Sequence, residues 1–228
     1  MSTTQNKNSM ISSSTLDFLV KLKKNNNKEW FDKNRPQYEL IKTEFKGFIN
    51  ELIASIAKFD PSVKQLEAKD CTFRINRDVR FSTNKAPYKT NIAAFISPEG
   101  KKSISAGYYI HIEPGNFFLA SGMWMPPAPQ LNAVRQEIDY NAEEFRKIVS
   151  SKDFKKHFKE LSQEDKVKTT PKGYEKTHPE IEFLKLKSFI AMKSINEKEV
   201  LSKNFIKSIC SAYESAHPLN AFLRRACD

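Results

Sequence analysis

The sequence predicts one α+β domain: a mostly antiparallel central sheet with N- and C-terminal helices packed on one face. Apolar residues recur at helical spacing near both ends of the chain, as they do in amphipathic helices. The middle of the chain holds two strand-like runs around Pro114-Gly115, which is a hairpin pattern. A length of 228 residues is enough to bury a full core without disulfides or metals.

The N-terminal part predicts a polar tail followed by two helices. Residues 1–13 are almost all Ser, Thr, Asn, Gln and Met, too polar to pack, so we assign them to a disordered tail. Ser14 followed by Asp17 resembles a capping box and begins the first helix of a single domain that spans 14–228. A second helix opens at Asn27 and ends before Pro61.

The middle of the chain predicts strands. Residues 92–97 have the composition of a strand, and Pro114-Gly115 suits a type II turn because glycine accepts the positive φ. With a two-residue loop, Tyr109, His111 and Glu113 share the face opposite the apolar residues of the same strand. The hairpin is therefore expected to pack one face on helices and to leave a polar face open.

The C-terminal part returns to helices. Three prolines between 126 and 129 mark a break, after which a helix is expected, with a restart at Asn141. Residues 162–180 are rich in turn residues and predict a long polar loop. Residues 181–192 suit a turn of helix and then a strand, and the last helix carries the apolar positions between 200 and 213.

Composition limits the possible classes of protein. Hydrophobic content of 39% with 29% charged residues is typical of a globular protein, and no apolar run approaches the ~20 residues of a membrane helix. No secretory signal is visible, and three scattered cysteines indicate free thiols, so we expect a cytoplasmic location. The net charge of +11 favours anionic partners, but lysines spread among asparagines make it weaker evidence than local clustering.

The most informative part of the chain is the segment 71–91, which reads C-T-F-R-I-N-R-D-V-R-F-S-T-N-K-A-P-Y-K-T-N. If it is a strand, Arg74 and Arg80 share its polar face and Arg77 falls on the apolar face. An unpaired guanidinium is costly to bury, so either a bulge turns Arg77 out or an anion meets it inside. Five basic residues against one acidic residue leave charge uncompensated here, which predicts an anion-binding site.

Two lysines around a proline turn extend this basic segment, and guanidinium and ammonium groups bind phosphates and carboxylates. The alternative is a structural network in which Asp78 and Glu113 pair with the arginines. The predicted ligand-binding residues are Arg74, Arg77, Arg80, Lys85, Lys89 and Tyr109.

His111 and Glu113 lie two residues apart on one strand face, a spacing that suits acid–base chemistry. No third metal ligand accompanies them, so we expect neither a metal nor a cofactor. The chain contains no P-loop, G-x-S-x-G, H-E-x-x-H or G-x-G-x-x-G motif. The residues leave open whether the protein is an enzyme.

Several separated motifs resemble a bacterial and fungal family catalogued as domain of unknown function 2461. They are N-K-E-W-F-D, F-R-I-N-R-D-V-R-F-S-T-N-K-A-P-Y-K-T, G-Y-Y-I-H-I-E-P-G, G-M-W-M-P and P-K-G-Y-E-K-T-H-P, and the resemblance runs from about residue 16 to 224. Asn76 departs from the aromatic residue expected at its position, which puts the polar face of the site in question. The resemblance implies a single intracellular domain of mixed α and β structure and implies no activity.

Three functional hypotheses follow from these residues. The first is a binding protein for a phosphorylated or carboxylated small molecule or for a nucleic acid backbone, with no membrane contact. The second is an enzyme for a small anionic substrate, in which Arg74 and Arg80 orient the anion while His111 or Glu113 moves a proton. The third is a structural or protein-interaction domain. The ligand and the oligomeric state stay open.

Overall fold

The structure, a computed structural model, describes residues 10–227 and confirms the predicted α+β class. Within that range no helix is both long and apolar enough to cross a membrane. The helices are α1 (Ser13–Lys24), α2 (Lys28–Lys33), α3 (Arg35–Ile56), α4 (Ala68–Cys71), α5 (Ala128–Tyr140), α6 (Ala142–Ser150), α7 (Lys152–Phe158), α8 (Ile181–Leu184), α9 (Glu197–Val200) and α10 (Phe205–Arg225). The strands are β1 (Ile92–Ile96), β2 (Gly107–Ile112), β3 (Phe117–Met123) and β4 (Phe189–Ile195).

The four strands form one antiparallel sheet in the order β1-β2-β3-β4. Between β2 and β3 the amide of Asn116 donates to the carbonyl of Glu113 at 2.8 Å, and Gly115 has φ of 86°. This geometry confirms the predicted two-residue loop. It also fixes the register, in which Ile110 lies opposite Leu119.

The helices cover one face of the sheet, as predicted. Ile110 and Ile112 are fully buried. The rings of Tyr108 in β2 and Tyr213 in α10 lie 5.0 Å apart, and the hydroxyl of Tyr213 donates to the carbonyl of Tyr109 at 2.7 Å. The N-terminal helix α3 packs on α10, where the rings of Phe48 and Phe205 lie 5.7 Å apart. The opposite face of the sheet, here called the outer face, is therefore left for other contacts.

A buried ion pair joins the C-terminal helix to the N-terminal half of the chain. Asp60 is 2% exposed, and its carboxylate accepts hydrogen bonds from Tyr108 Oη at 2.8 Å and Arg224 Nη1 at 2.9 Å. Burial raises the pKa of this carboxyl, but hydrogen bonds from His217 and Ser62 and the Arg224 charge hold it well below its usual range. Asp60 is therefore ionised and fully partnered at neutral pH.

The N-terminal boundaries differ from the expected ones. The expected tail falls outside the described residues up to position 9, but Ile11 is 2% exposed and the Ser12 hydroxyl caps α1. The packed chain therefore includes the last residues that the sequence assigned to the tail. The expected second helix is divided at Asn34, because Pro36 begins a new helix more readily than it continues one.

The arginine segment is not a regular strand, which corrects the expectation of two alternating faces. Its ladder contacts are isolated bridges from Thr72 to Ala94 and from Asn76 to Tyr88, and Phe81, expected on the apolar face, is 97% exposed. The physical reason is local. Short polar side chains can hydrogen-bond to nearby backbone groups and so replace the hydrogen bonds of a neighbouring strand. Asp78 does this when its carboxylate accepts from the Arg80 amide at 3.3 Å.

Arg77 takes neither of the two expected arrangements. It is partly exposed, and its guanidinium donates to the Ala86 carbonyl at 3.1 Å and to the Ser82 hydroxyl at 3.3 Å. Its own amide donates to the Pro87 carbonyl at 2.9 Å. The arginine therefore closes the loop 78–86 onto itself, and neutral oxygens of that loop accept two hydrogen bonds from its guanidinium.

Candidate ligand-binding site

The outer face of the sheet forms the floor of an open cleft of about 770 Å³, here called the sheet cleft. Tyr109 pairs with Ala120 and Gly107 pairs with Gly122, so the floor is mostly made of small residues. Gly122 has φ of 124°, and a Cβ there would lie 1.9 Å from the Phe189 carbonyl oxygen, so only glycine fits. Backbone geometry thus keeps the floor shallow at this point.

Aromatic side chains form much of the wall of the sheet cleft. Phe73, Phe95, Phe118 and Trp124 all line it, and Trp124 is 73% exposed. The Phe118 ring is stacked on the His111 ring with centroids 4.7 Å apart. Flat apolar surfaces around a shallow floor suit a planar or apolar part of a ligand.

The two sides of the sheet cleft carry opposite charge. Lys89 and Lys101 lie just before and just after β1, while Glu164 and Asp165 lie beyond β4, whose edge is bridged by Leu161. None of these four charged side chains forms an ion pair with another of the residues at 10–227. The cleft is therefore cationic at the β1 side and anionic at the β4 side.

A second cleft of about 650 Å³, here called the basic cleft, lies between α3, α4 and the segment 72–76. Its lining is far more positive than that of the sheet cleft. The cations are Arg35, Lys42, Lys46, Lys69, Arg74, Lys101 and Lys102, and the one carboxylate is Glu39.

Ion pairing neutralises only part of this charge. The pairs are Arg35 with Asp32, Lys42 with Glu39 at 2.9 Å, and Lys69 with Glu67 at 2.8 Å. Lys46, Arg74, Lys101 and Lys102 have no carboxylate partner among the described side chains, although the Lys101 ammonium donates to the Lys69 carbonyl at 2.5 Å. Four uncompensated cations around one concavity attract an anion.

The two clefts share a wall. Phe73, Asn91 and Lys101 line both of them. Phe73 is 38% exposed, and its ring lies 6.3 Å from that of Tyr109 on the cleft floor. A ligand that passes Phe73 can therefore touch the aromatic surface of one cleft and the cations of the other.

A line of hydrogen bonds runs from the sheet cleft along β2. The Tyr109 hydroxyl lies 3.0 Å from His111 Nδ1, and His111 Nε2 lies 3.4 Å from a Glu113 carboxylate oxygen. The other Glu113 oxygen accepts from the Thr90 hydroxyl at 2.5 Å. Tyr109 lines the cleft, whereas His111 and Glu113 do not. Only the phenol of this line can therefore touch a ligand in the cleft directly.

Burial dominates the ionisation of these groups. Burial, followed by the Glu113 charge, raises the pKa of Tyr109 to about 12. Burial lowers the pKa of His111, and Glu113 only partly offsets that effect. Burial also raises the pKa of Glu113, but hydrogen bonds from Thr90 and His111 more than offset it, so the net pKa is below the usual value. At neutral pH Tyr109 and His111 are therefore uncharged and Glu113 is a carboxylate.

The predicted site residues separate into two groups. Arg74 lines the basic cleft, Lys89 and Tyr109 line the sheet cleft, and His111 and Glu113 lie behind Tyr109. Arg77, Arg80 and Lys85 line neither cleft and belong to the loop 78–86 and its base.

The remaining two loop cations are occupied within the loop. Arg80 donates to both carboxylate oxygens of Asp78, at 3.0 and 2.6 Å. Lys85 donates to the Val79 carbonyl at 3.1 Å. Glu113, the other carboxylate of the alternative network, accepts from threonine, histidine and asparagine and from no arginine. The pairing expected of Asp78 is formed, and that expected of Glu113 is not.

Histidines elsewhere are occupied by other groups. His178 Nε2 lies 2.9 Å from an Asp139 oxygen, and His178 Nδ1 accepts from the Glu180 amide at 3.0 Å. Both ring nitrogens are therefore used inside the fold. Across residues 10–227 no group of three or more His, Cys, Asp or Glu side chains is arranged to hold a metal ion.

The sequence interpretation missed most of the basic cleft and the walls of the sheet cleft. One signal was available: Arg35, Glu39, Lys42 and Lys46 recur at spacings of four, three and four, which places them on one face of α3. Strand alternation from Phe118 through Ala120 and Gly122 did place Trp124 on the face that the structure shows as the outer one.

The fold and the two clefts define an α+β protein with one helix-covered sheet face and one open, ligand-accessible face. Comparison with known families gives a match over residues 14–222 to DUF2461, described as a conserved hypothetical protein family. The chain belongs to this family. Comparison with curated proteins and with solved structures finds no match.

Proposed function

We propose that the protein binds a phosphorylated or carboxylated ligand, and that the basic cleft holds the anionic group. The observation that carries this proposal is the set of four cations, Lys46, Arg74, Lys101 and Lys102, that have no carboxylate partner among the described side chains. Guanidinium and ammonium groups match phosphate and carboxylate oxygens in charge and geometry. The cations come from α3, from the segment 72–76 and from the turn after β1, so they converge from three directions.

The location of Arg74 supports this proposal more than that of Arg80 does. Arg74 is exposed at the basic cleft and forms no ion pair within 10–227, whereas Arg80 forms an ion pair with Asp78. An exposed ion pair contributes little to stability, but it does reduce the charge available to a ligand. The ligand set of the proposal is therefore Arg74 with the lysines of the basic cleft and Lys89 at its border.

The experiment measures binding of inorganic phosphate, pyrophosphate and citrate by thermal shift and calorimetry, at low and high salt. We expect at least one of these anions to raise the melting temperature. We expect Arg74→Gln and Lys46→Gln each to weaken its binding by about tenfold or more, since charge-assisted hydrogen bonds contribute roughly 1.5–3 kcal/mol each. Arg80→Gln is the matched control, because it removes the same charge outside the cleft.

The proposal fails if none of the three anions stabilises the protein, or if Arg80→Gln weakens binding as much as Arg74→Gln does. Melting of the unliganded variants is informative too. Removal of an unpaired cation leaves the melting temperature unchanged or raised, whereas a clear loss in Arg74→Gln would mark Arg74 as part of a structural network. The cytoplasmic location expected from the cysteines belongs to this proposal, and Cys71 and Cys210 are free thiols.

A second candidate function is acid–base catalysis on an anionic substrate, and the line Tyr109–His111–Glu113 is the observation that favours it. In this arrangement Tyr109 is the group at the cleft, His111 passes the proton, and Glu113 orients the imidazole. Tyr109→Phe removes the hydroxyl and keeps the ring. Loss of turnover with unchanged ligand affinity would support catalysis, and unchanged turnover would exclude this role for the line.

A further inference from the structure

The separation of charge in the sheet cleft specifies the ligand more closely than the basic cleft alone. We propose that the ligand is a mononucleotide, with its phosphate at the cations near Phe73 and its base in the sheet cleft. This inference rests on the proposed function, because the phosphate occupies the anion site described there. It adds a nucleobase to the phosphate and adds the contacts that the sheet cleft makes with that base.

The aromatic walls are the first support. Phe95, Tyr109 and Trp124 present rings around a floor of small residues, and Trp124 is 73% exposed. Bases stack on such rings because every base has two apolar faces, and the stacking tolerates different bases. An exposed tryptophan at the rim of a concave apolar surface is well placed for this contact.

The two carboxylates at the β4 side are the second support. Asp165 accepts from the Ser188 hydroxyl at 3.1 Å, and neither Asp165 nor Glu164 has a cation partner in the described part of the chain. Carboxylate oxygens accept hydrogen bonds from the exocyclic amino group of adenine, cytosine or guanine. Bases that carry an amino group are therefore expected to bind more tightly than uracil.

The dimensions agree with a ligand that has different ends. Three spacings of about 4.8 Å separate β1 from β4, so the sheet beneath the cleft is on the order of 14 Å wide across its strands. Inorganic phosphate cannot reach both sides of such a cleft. A nucleotide has an anion at one end, hydrogen-bond donors at the other and an apolar plane between them.

Other amphipathic ligands fit less well. An acyl phosphate would place a hydrocarbon chain against Glu164 and Asp165, and desolvating a carboxylate without a partner is unfavourable. A sugar phosphate finds hydroxyl partners at Asn91, Ser103 and Tyr109, but it would leave the apolar ring faces of Phe95, Phe118 and Trp124 without a matching surface. The combination of apolar floor and polar ends therefore favours a nucleobase.

Fluorescence provides a direct test because the chain has two tryptophans. Trp30 packs against Phe18 with ring centroids 5.6 Å apart and lines neither cleft, so Trp30→Phe leaves Trp124 as the reporter. Adenosine 5′-monophosphate is titrated into this protein beside ribose 5-phosphate, uridine 5′-monophosphate and a single-stranded oligonucleotide. We expect adenosine monophosphate to quench Trp124 and to bind about tenfold more tightly than ribose 5-phosphate.

Variants separate stacking from charge. Trp124→Ala is expected to lower the affinity for adenosine monophosphate about tenfold and to leave that for ribose 5-phosphate unchanged. Phe81→Ala is the matched control, since Phe81 is 97% exposed and lines neither cleft. Affinities for these variants are measured by calorimetry, and thermal melts establish that each variant is folded.

The outcomes distinguish this inference from the proposed function. Equal binding of adenosine monophosphate and ribose 5-phosphate, with no change in Trp124 fluorescence, overturns the nucleotide inference and leaves the anion site standing. No binding of any phosphate compound overturns the nucleotide inference, and the proposed function falls with it only if citrate also fails to bind. Binding of the oligonucleotide alone, lost at high salt, overturns the nucleotide inference in favour of a surface for the nucleic acid backbone.

Discussion

The side-chain nitrogen of Lys89 lies 5.3 Å from the centroid of the Phe73 ring, at the wall between the sheet cleft and the basic cleft. Burial lowers the pKa of this lysine, and the charge of Arg74 lowers it further. The ring face partly compensates the cation. An anion bound between Lys89 and Arg74 would oppose the repulsion, so ligand binding and full protonation of Lys89 favour each other.

The shared wall predicts that Phe73→Ala acts on ligand binding more than on folding. The side chain is 38% exposed, so its loss should cost about 1–2 kcal/mol of unfolding free energy. The substitution removes the surface under Lys89 and beside Tyr109, and we expect the affinity for adenosine monophosphate to fall about tenfold. Urea unfolding and calorimetric titration measure the two effects.

Phe81→Ala serves as the control for this prediction. Phe81 is almost fully exposed beside Arg80, so its removal should change stability by less than about 0.5 kcal/mol and leave affinity unaltered. If Phe73→Ala binds the nucleotide as the unchanged protein does, the wall between the clefts has no part in recognition.

The hairpin was predictable from sequence because its determinants are local. Pro114-Gly115 fixes a two-residue turn, and the alternation of apolar residues then decides which side chains face α10. The arginine segment was not predictable in the same way. Its alternation suggested a strand, but side-chain bonds such as those of Arg77 to Ala86 and Ser82 replace a regular ladder.

The candidate site was predictable only in part. Arg74 and Lys89 were named because they cluster in sequence, and Tyr109 because it shares the polar face of the hairpin; the fold brings all three to adjoining clefts. The lysines of α3 and the carboxylates near β4 lie far from that cluster along the chain, and only tertiary packing brings them to it. Clustering in sequence therefore gave too much weight to the loop 78–86, whose cations bind groups within the loop. It gave too little weight to the lysines on the face of α3 that lines the basic cleft.

Burial of His111 predicts that the protein loses stability as the solution becomes acidic. The folded-state pKa lies below the unfolded value of about 6.5, because burial disfavours the imidazolium. The contribution to stability is therefore complete above that pH and is lost as the pH falls below about 6.5, where only the unfolded chain takes up the proton. The pKa of Glu113 is also lowered, but its effect begins nearer pH 4.5.

Urea unfolding at pH 7.5, 6.5 and 5.5 measures this dependence as the slope of the unfolding free energy against pH. His111→Gln should flatten the slope whatever its effect on absolute stability. The pKa of His157 is lowered as well, first by burial and then by Lys193, so it contributes with the same sign. Comparison of His157→Gln with the double variant His111→Gln/His157→Gln gives the contribution of each histidine to the slope. An unchanged slope in His111→Gln would contradict the prediction.

The Asp60 pair should be among the least tolerant positions of the fold. Asp60 is 2% exposed and is held by Arg224, Tyr108 and Ser62, so Asp60→Asn leaves a buried guanidinium without its counter-charge. Breaking a buried pair from one side costs about 3–5 kcal/mol. We expect a loss of that order in urea unfolding.

Asp32→Asn is the matched comparison, because Asp32 pairs with Arg35 at the surface, where the side chains are 42% and 53% exposed. Such pairs contribute about 0–1 kcal/mol. The difference between the two substitutions tests whether α10 is anchored through Asp60, since Arg224 lies at the C-terminal end of that helix and Tyr108 lies in β2. Equal and small losses would mean that apolar packing and neutral hydrogen bonds such as that of Tyr213 hold α10 on the sheet without the Asp60 pair.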